Sequence, residues 1–472
     1  MRLLPLSLLA FSFWALYADA NTVVAADDDV ASAREAAREG KMQINRVFSI
    51  PSDRDIVVDP SKPELTCDAI LNFAFPDLCD LQVTNGSITV RGQKLVYWRY
   101  KNKAGPSDRT PLLLVHGGPG VGHTYLDPMK QQACRGREVV FYDQVGAGQS
   151  AKPDLKDAPW LLTLEYYPEE VDALVTELGW KKFHFFGNSW GTVIGQMYGF
   201  RKDPRLEGIV LSGPLSDTQA YIKAQWEVVE GSLGALPWHV QAVLKKLGDE
   251  QAWGSKLYEA EDTPLTSFYT VRTTPTPTCF VASAPTDNVS QEIYVKMQGP
   301  SEFSVGGVMA QMNLTARLPE IPNPVLLTHG RYDTMRPAVI DIFSKNLQKS
   351  WRALLPRSGH CSMLDDPKLM NDVVGEFLNA VEKDGAASFT VPAEARDPGH
   401  VPAELTHEVT YISEPHSAHE ILTFETSSLS STSMLLSYAA TLTFGLCLGA
   451  GLTKWAADRA KLRPALLPES SP

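Results

Sequence analysis

The stretch FHFFGNSWGTVIG, residues 183–195, joins a short apolar run to a pattern typical of a helix. At the junction stands the pentapeptide GNSWG, residues 187–191, in which a glycine lies two positions to each side of Ser189. Glycine has no Cβ, so a strand and a helix can pack closely around a sharp turn between them. This Gly-x-Ser-x-Gly pattern is typical of a nucleophile elbow, although an ordinary Gly-Ser turn is the structural alternative. It predicts that Ser189 is a nucleophile exposed at a helix N-terminus.

A serine hydroxyl is a weak nucleophile and needs a general base. Where such an elbow occurs, the acid and the histidine follow the serine in that order. PVLLTHGRYDTMRP places Asp333 after one strand, and LLPRSGHCSMLDDP places His360 after the next. The other histidines fit less well, since His184 lies inside a strand and His329 precedes Asp333. We therefore expect a triad of Ser189, Asp333 and His360.

A glycine-rich loop follows an earlier apolar strand. The sequence PLLLV, residues 111–115, leads directly into HGGPG, residues 116–120. Attack by a serine on a carbonyl creates an oxyanion that must meet preorganised N–H donors. One donor is expected directly after the nucleophile, at Trp190, and the other in the loop after an early strand. Gly117 and Gly118 are the candidates in that loop, and we favour Gly118.

Short apolar runs alternate with helical patterns over most of the chain. Such runs, separated by helices, are typical of a parallel sheet that is covered on both faces. The rhythm holds over residues 81–214 and 319–385, which we interpret as the two halves of one α/β core. Residues 215–318 interrupt it with helix-forming and aromatic residues, and they predict a mostly helical insertion.

Composition narrows the function classes. The chain has 472 residues, 44% of them hydrophobic and 21% charged, which is typical of a globular protein. Its formal net charge of −12 disfavours nucleic acid as a partner, because phosphate binding requires basic patches. The cysteines and histidines lack the spacing of a zinc site, and we expect neither a metal nor an organic cofactor.

Both ends of the chain carry signals for targeting. Residues 1–20 have the pattern of a signal peptide, and residues 21–80 form an N-terminal extension. Residues 386–433 are polar and predict a stalk, and residues 434–452 form an uncharged apolar stretch long enough to cross a bilayer. Basic residues in the tail, 453–472, favour the cytoplasmic side. The expectation is a single-pass membrane protein of the secretory pathway with a lumenal or extracellular catalytic domain.

The cysteines and sequons fit an oxidising compartment. Cys67 and Cys79 flank a short segment and are expected to form a small disulfide loop. Cys134, Cys279 and Cys361 then leave an odd number, so at least one thiol is expected to be free. Three asparagines stand in glycosylation sequons: Asn85, Asn288 and Asn313.

Taken together, five motifs resemble a known family. HGGPG, FYDQVGAGQS, GNSWG, GRYD and SGH, in this order, look like the prolyl aminopeptidases of the α/β-hydrolase fold. MQGPSEF, residues 297–303, further resembles the tricorn-interacting branch of that family. The resemblance covers roughly residues 81–381. The chain departs from the family at Val145 and Gln149, where the family often has arginine.

The resemblance implies an α/β-hydrolase fold with a mostly parallel central sheet, helices on both faces and a helical cap over the site. In that family the cap binds the N-terminus of a peptide, and acidic cap residues receive its α-amine. Glu302 in GPSEF matches one such position. A second acid is expected between residues 258 and 269, with Glu261 and Glu259 as the candidates.

The expected function is therefore a membrane-anchored serine hydrolase that acts on peptides. By resemblance it is an aminopeptidase that releases the N-terminal residue through an acyl-enzyme, with proline favoured. A carboxylesterase or lipase is the enzymatic alternative, because a fold does not determine a substrate. A non-catalytic receptor or adhesion module on a hydrolase scaffold is the alternative of a different class.

Overall fold

Eight strands form one sheet in the part of the protein that the computed structural model describes, residues 64–228 and 230–397. The strands are β1 (Leu81–Val90), β2 (Gln93–Asn102), β3 (Arg109–Val115), β4 (Arg137–Asp143), β5 (Phe183–Asn188), β6 (Leu206–Ser212), β7 (Val325–Gly330) and β8 (Ser350–Leu355). Their order across the sheet is β1-β2-β4-β3-β5-β6-β7-β8. β1 is antiparallel to β2 and β2 to β4, and the other neighbours are parallel. The sheet is therefore mostly parallel, as expected.

The central strands are buried and mostly apolar because both faces of the sheet are covered. Every residue of β4, β5 and β7 is buried. Successive side chains of a strand point to opposite faces, so alternate residues enter different cores. In β3, Leu113 and Val115 belong to one apolar core, and Leu112 and Leu114 belong to the other.

Helices cover the two faces of the sheet. The described α-helices are α1 (Cys67–Ala74), α2 (Tyr167–Glu177), α3 (Trp190–Gly199), α4 (Thr218–Gln225), α5 (Trp238–Asp249), α6 (Lys256–Leu265), α7 (Thr278–Ser283), α8 (Asn288–Met297), α9 (Pro337–Asn346), α10 (Ser362–Asp365) and α11 (Pro367–Asp384). Shorter turns of 3-10 or π type are His123–Arg135, Pro159–Leu162, Thr266–Thr270, Val308–Gln311, Thr315–Glu320 and Ala393–Ala395. Val171, Val193 and Ile340 of α2, α3 and α9 pack into the first core, whereas Ile70 and Phe377 of α1 and α11 pack into the second.

The carboxyl ends of the parallel strands lie at one edge of the sheet. β3 ends at Val115 before the HGGPG loop, and β5 leads into the turn at Ser189. β7 and β8 are followed by Asp333 and His360. Ligands of open parallel sheets bind at this edge. Segments that are distant in the sequence thus meet where a binding site is expected.

A mostly helical layer, α4 to α8, lies between β6 and β7 in the sequence. It has a small apolar core of its own, made of Leu233, Leu244, Tyr258, Leu265 and Phe303. Helix α8 approaches the loops at the sheet edge closely. A Cβ added to Gly120 would lie 2.3 Å from the carbonyl oxygen of Ser290, and one added to Gly146 would lie 2.3 Å from Cδ1 of Ile293. The helical layer therefore rests directly on the edge that carries the predicted site residues.

Two disulfides connect the N-terminal extension to the rest of the fold, and their pairing corrects the expectation. Cys67 is bonded to Cys279, and Cys79 is bonded to Cys134. The expected Cys67–Cys79 bond is therefore wrong, because each of the two cysteines is bonded to a different partner. Cys361 is a buried free thiol, in agreement with the odd cysteine.

The localisation expected from the sequence needs correction. Among the helices of residues 64–228 and 230–397, none combines the length and the apolar character that a membrane span requires. The longest of them, α11, has 18 residues, but one of its sides is charged and the other packs on the sheet. This finding contradicts the prediction of a single-pass membrane protein. The stretches on which that prediction rested, 1–20 and 434–452, lie outside the described residues.

Candidate active site

The turn at Ser189 is a strained junction between β5 and α3. Ser189 has φ 54° and ψ −119°, a conformation that costs a non-glycine residue of the order of 1–3 kcal/mol. Its neighbours must be glycines, because a Cβ on Gly187 would lie 2.3 Å from the Gly191 oxygen, and one on Gly191 would lie 2.3 Å from the Val115 oxygen. The Ser189 side chain is only partly buried, whereas the residues on both sides of it are buried. The hydroxyl is thus exposed at the start of a helix.

Asp333 and His360 form a buried hydrogen-bonded pair. Nδ1 of His360 lies 2.7 Å from Oδ1 of Asp333, which also accepts the N–H of Met335 at 2.9 Å. Asp333 is fully buried, and His360 is 4% exposed. Nε2 of His360 is buried without a hydrogen-bond partner among the described residues. No other side chain of the described residues therefore competes for that nitrogen.

The loop after β6 connects this pair to the serine. The carbonyl oxygen of Ser212 accepts the N–H of Ser189 at 2.9 Å. The next residue, Gly213, has φ +58°, and a Cβ there would lie 2.7 Å from Nδ1 of His360. Only a glycine lets the backbone come so close to the imidazole. Ser189 and the His360 ring thus contact consecutive residues of one loop.

The charge of Asp333 controls the protonation of His360. Burial opposes the charged imidazolium, but the Asp333 carboxylate and its hydrogen bond outweigh burial and raise the pKa of His360 to about 9. Burial likewise opposes the ionised form of Asp333, but His360 and the hydrogen bonds lower the pKa of Asp333 below its ordinary value. Asp333 therefore stays ionised and stabilises a protonated His360.

The HGGPG loop lies against the turn at Ser189. A Cβ on Gly117 would lie 2.7 Å from Cβ of Ser189, so the loop backbone touches the serine. The N–H of Gly117 donates to the hydroxyl of Tyr125 at 2.7 Å. The N–H groups of Gly118 and Trp190 donate to no acceptor within the described part of the chain. They remain available for a ligand.

A buried tyrosine and an asparagine, which the sequence did not single out, join three parts of the site. The Tyr125 hydroxyl accepts from Gly117 and donates to Oδ1 of Asn188 at 2.7 Å. Nδ2 of Asn188 donates to the carbonyl oxygens of Ser212 at 3.1 Å and His360 at 3.4 Å. Asn188 is the variable residue before the serine in Gly-x-Ser-x-Gly, so the motif gives no reason to select it. This network links the HGGPG loop to the serine and histidine loops.

Gln144 connects the first residue of helix α3 to the HGGPG loop. Its side chain accepts the indole N–H of Trp190 and donates to the carbonyl oxygen of His116, both at 3.0 Å. Its backbone N–H donates to Nε2 of His116 at 3.0 Å. Burial lowers the pKa of His116 to about 4, so the ring is neutral and its Nδ1 carries the proton that bonds the Gly117 oxygen. The hydrogen bonds of Gln144 therefore hold the HGGPG loop, which carries the Gly118 N–H, and the start of helix α3, which carries the Trp190 N–H, in a fixed relative position.

The two positions that differ from the resembled family use backbone donors. The N–H of Val145 donates to Oε1 of Glu170 at 2.8 Å, and the N–H of Gln149 donates to Oδ2 of Asp143 at 2.7 Å. Neither contact depends on an arginine side chain. The loop after β4 can therefore keep its form without the two arginines.

Glu302 lies in the helical layer with one oxygen bound and one unpaired. Oε1 accepts the hydroxyl of Tyr294 at 3.0 Å, and the backbone oxygen of Glu302 accepts the hydroxyl of Tyr221 at 2.9 Å. Oε2 is buried without a hydrogen-bond partner among the described residues. The charge of Glu302 also contributes to the raised pKa of His360. A buried carboxylate oxygen without a partner is a site for a cation.

Helix α6 carries the two candidates for a second acid and a third carboxylate beside them. Glu261 and Glu259 lie on helix α6, and the side chain of neither forms a hydrogen bond or ion pair within the described residues. Their neighbour Asp262 accepts the hydroxyl of Ser301, directly before Glu302, at 3.0 Å. Burial raises the pKa of Asp262 above its ordinary value. Asp262 is therefore the acid of α6 that lies beside the Glu302 segment.

Comparison with known proteins agrees with this architecture. A family model described as alpha/beta hydrolase fold matches residues 110–367. The proline iminopeptidase of Flavobacterium johnsoniae is 30% identical, over 59% of this chain and 92% of its own length. The proline iminopeptidase of Heyndrickxia coagulans is 28% identical, over 63% of this chain and 99% of its own length.

Solved structures lead to the same fold. The crystal structure of VinJ is 26% identical and superposes with a TM-score of 0.58, covering 63% of this chain and 99% of VinJ. The proline iminopeptidase of Mycobacterium smegmatis, at 24% identity, superposes with a TM-score of 0.57, covering 64% of this chain and 99% of that one. These matches and the mostly parallel eight-stranded sheet confirm the predicted fold. The chain belongs to the α/β-hydrolase family.

Proposed function

We propose that the protein is a serine aminopeptidase that removes the N-terminal residue of a peptide, with proline favoured. The observation that carries the proposal is the buried Asp333–His360 pair, whose imidazole lies against Gly213, directly after the residue that holds the partly buried Ser189. The relatives named proline iminopeptidase support the substrate class. The motif around Glu302 supports the tricorn-interacting branch.

In the first half of the reaction, Ser189 attacks the carbonyl carbon of the first residue. Its hydroxyl proton passes to Nε2 of His360 as the Oγ–C bond forms, and Asp333 stabilises the resulting imidazolium. The N–H groups of Gly118 and Trp190 donate to the oxyanion. The C–N bond then breaks, the leaving amine takes the proton from His360, and an acyl-enzyme remains. In the second half, water gives a proton to His360 and attacks the ester carbon. The C–Oγ bond breaks, His360 returns the proton to Oγ of Ser189, and the amino acid is released.

Glu302 supplies the selectivity for a free N-terminus. A peptide amine has a pKa of about 8 and is mostly protonated near pH 7. The ammonium needs a counter-charge once the helical layer excludes water. The unpaired Oε2 of Glu302 is placed to provide it, and Asp262 lies on the neighbouring segment as a second acid.

The serine mechanism is tested by labelling with a fluorophosphonate probe. The wild-type protein should be labelled, and Ser189→Ala should lose both the label and turnover while its thermal unfolding changes little. Ser344→Ala, on helix α9 away from the sheet edge, serves as the matched control and should label normally. Full activity of Ser189→Ala would refute the serine mechanism.

The substrate class is tested with prolyl, alanyl and leucyl coumarylamides beside a neutral fluorogenic ester. Faster turnover of the prolyl amide than of the other two supports the proposal. Turnover of the ester alone would favour a carboxylesterase or lipase instead. A wild-type protein that is folded but neither labelled nor active would favour a non-catalytic receptor or adhesion module.

A further inference from the structure

Tyr294 contacts both the loop that carries the oxyanion donor and the carboxylate that faces the amine. Its hydroxyl donates to Oε1 of Glu302 at 3.0 Å. Its ring lies beside Gly118, because a Cβ added to Gly118 would be 3.5 Å from Cε2 of Tyr294, an ordinary van der Waals distance. One rigid aromatic side chain therefore spans the two proposed binding groups.

Helix α8, which carries Tyr294, cannot shift relative to the sheet edge without steric conflict. Ser290 lies one turn before Tyr294, and its carbonyl oxygen occupies the space that a side chain on Gly120 would need. Ile293 fills the corresponding space at Gly146. The N-terminus of the helix is capped by Asp287, whose Oδ1 accepts the N–H of Ser290 at 3.0 Å. The position of the Tyr294 hydroxyl is thus determined by the loops after β3 and β4.

Glu302 depends on tyrosine hydroxyls for its orientation. Tyr221 holds its backbone oxygen, and Tyr294 holds Oε1. No arginine or lysine pairs with the carboxylate within the described residues, and Oε2 has no partner there. Without the Tyr294 hydroxyl, the carboxylate group would be free to rotate away from its present direction.

We propose that Tyr294 is a positioning residue that sets the distance between the ammonium site at Glu302 and the oxyanion site at Gly118. This inference rests on the proposed aminopeptidase function. A fixed distance would explain why such an enzyme releases one residue at a time. Each additional residue moves a peptide N-terminus by about 3.8 Å. A fixed distance between the two sites therefore accepts a substrate whose scissile carbonyl and free amine belong to the same residue. It excludes a substrate that has one further residue before the scissile carbonyl.

The experiment compares the wild-type protein with Tyr294→Phe, Glu302→Gln and the double variant. Four substrates are used: prolyl coumarylamide, its N-acetylated form, glycyl-prolyl coumarylamide and a neutral fluorogenic ester. Phenylalanine keeps the ring against Gly118 and removes only the hydroxyl. A thermal unfolding midpoint close to that of the wild type reports that each variant is folded. Tyr97→Phe, on the sheet hairpin, is the matched control for loss of a tyrosine hydroxyl.

We expect Tyr294→Phe to lower kcat/KM for prolyl coumarylamide at least tenfold, mostly in kcat, because a misdirected ammonium places the scissile carbonyl poorly. The ratio of glycyl-prolyl to prolyl turnover should rise. In the Glu302→Gln background the Tyr294→Phe change should have no further effect, because both act through one carboxylate.

The two hypotheses fail in different ways. Equal losses of ester and prolyl turnover in Glu302→Gln would overturn the amine site, and with it the aminopeptidase proposal. If Glu302→Gln loses only the free-amine substrate while Tyr294→Phe behaves like Tyr97→Phe, the positioning role alone is refuted. Losses that multiply in the double variant would refute it as well, since they show that Tyr294 acts independently of Glu302.

Discussion

Replacing Asp333 by asparagine tests the pair at the centre of the site. Asparagine has nearly the same shape but carries no charge, and its amide can hold the imidazole in the wrong tautomer. Asp333 is the main reason why the pKa of His360 lies near 9 rather than below its ordinary value. Without that charge, burial is the dominant effect and lowers the pKa of His360. The substitution should therefore change both the rate and its dependence on pH.

The rate effect and the pH effect have separate magnitudes. Loss of the correct tautomer should lower kcat by roughly 10⁴-fold, as for other serine triads. In the wild-type protein only neutral His360 is a base, so kcat/KM should rise about tenfold per pH unit until the pKa near 9 is reached. In Asp333→Asn this acid limb should move below pH 6.5, the ordinary value for histidine. The direction of the shift follows from the pKa of His360, because a raised pKa keeps the imidazole protonated, and therefore inactive as a base, up to a higher pH.

A neutral fluorogenic ester is the suitable substrate, since a free amine would titrate over the same range. Profiles of kcat/KM from pH 5 to 10 are compared for the wild type, Asp333→Asn and the control Asp341→Asn, whose carboxylate forms a partly exposed pair with Arg352. An acid limb that stays at the same pH in Asp333→Asn would show that His360 is not the titrating base. A rate loss of less than tenfold would contradict the role of Asp333 in holding the imidazole.

Two further predictions concern stability. The double variant Cys67→Ser/Cys279→Ser should have a free energy of unfolding about 2–4 kcal/mol lower than the wild type in urea titrations. Non-reducing peptide maps of the wild type should recover the Cys67–Cys279 peptide, and a Cys67–Cys79 peptide would contradict the observed pairing. Burial raises the pKa of Glu170 to about 8, so the folded protein keeps a proton that the unfolded chain releases near pH 4.5. The free energy of unfolding should therefore fall as pH rises between these two values, by up to about 1.4 kcal/mol per pH unit. Glu170→Gln should remove that fall, and an unchanged stability difference between wild type and variant at pH 5 and pH 9 would refute it.

The parts of the site that could be predicted are those that depend on residues close together in the sequence. The turn at Ser189 needs glycines at two fixed offsets, and Asp333 and His360 each follow a short apolar strand. Strand ends of a parallel sheet converge on one edge, so a linear pattern is enough to place these residues near each other. Their roles in catalysis remain predictions until the substitutions are made.

Contacts that depend on tertiary placement could not be predicted. Tyr125 is distant in sequence from Asn188, and neither residue type is diagnostic of a connecting network. That Asp262 rather than Glu261 contacts Ser301 depends on helix register, because one residue on a helix with 3.6 residues per turn changes direction by about 100°. The pairing of Cys67 with Cys279 likewise requires the helical layer to be placed on the N-terminal extension before the partners can meet.

Glu302 connects the helical layer to the chemistry at the sheet edge through its charge. It adds to Asp333 in raising the pKa of His360. A substrate ammonium that pairs with Glu302 offsets this charge, so the pKa of His360 should fall when substrate binds, although Asp333 still keeps it raised. A general base is most effective when its pKa lies near the operating pH. A peptide with a free N-terminus would therefore improve the base that cleaves it, whereas a neutral ester would not.

It follows that Glu302→Gln should move the acid limb of ester hydrolysis to lower pH while it lowers turnover of the free-amine substrate. Opposite effects of this kind cannot arise from a general loss of folding, and an acid limb that does not move would show that the two charges are not coupled.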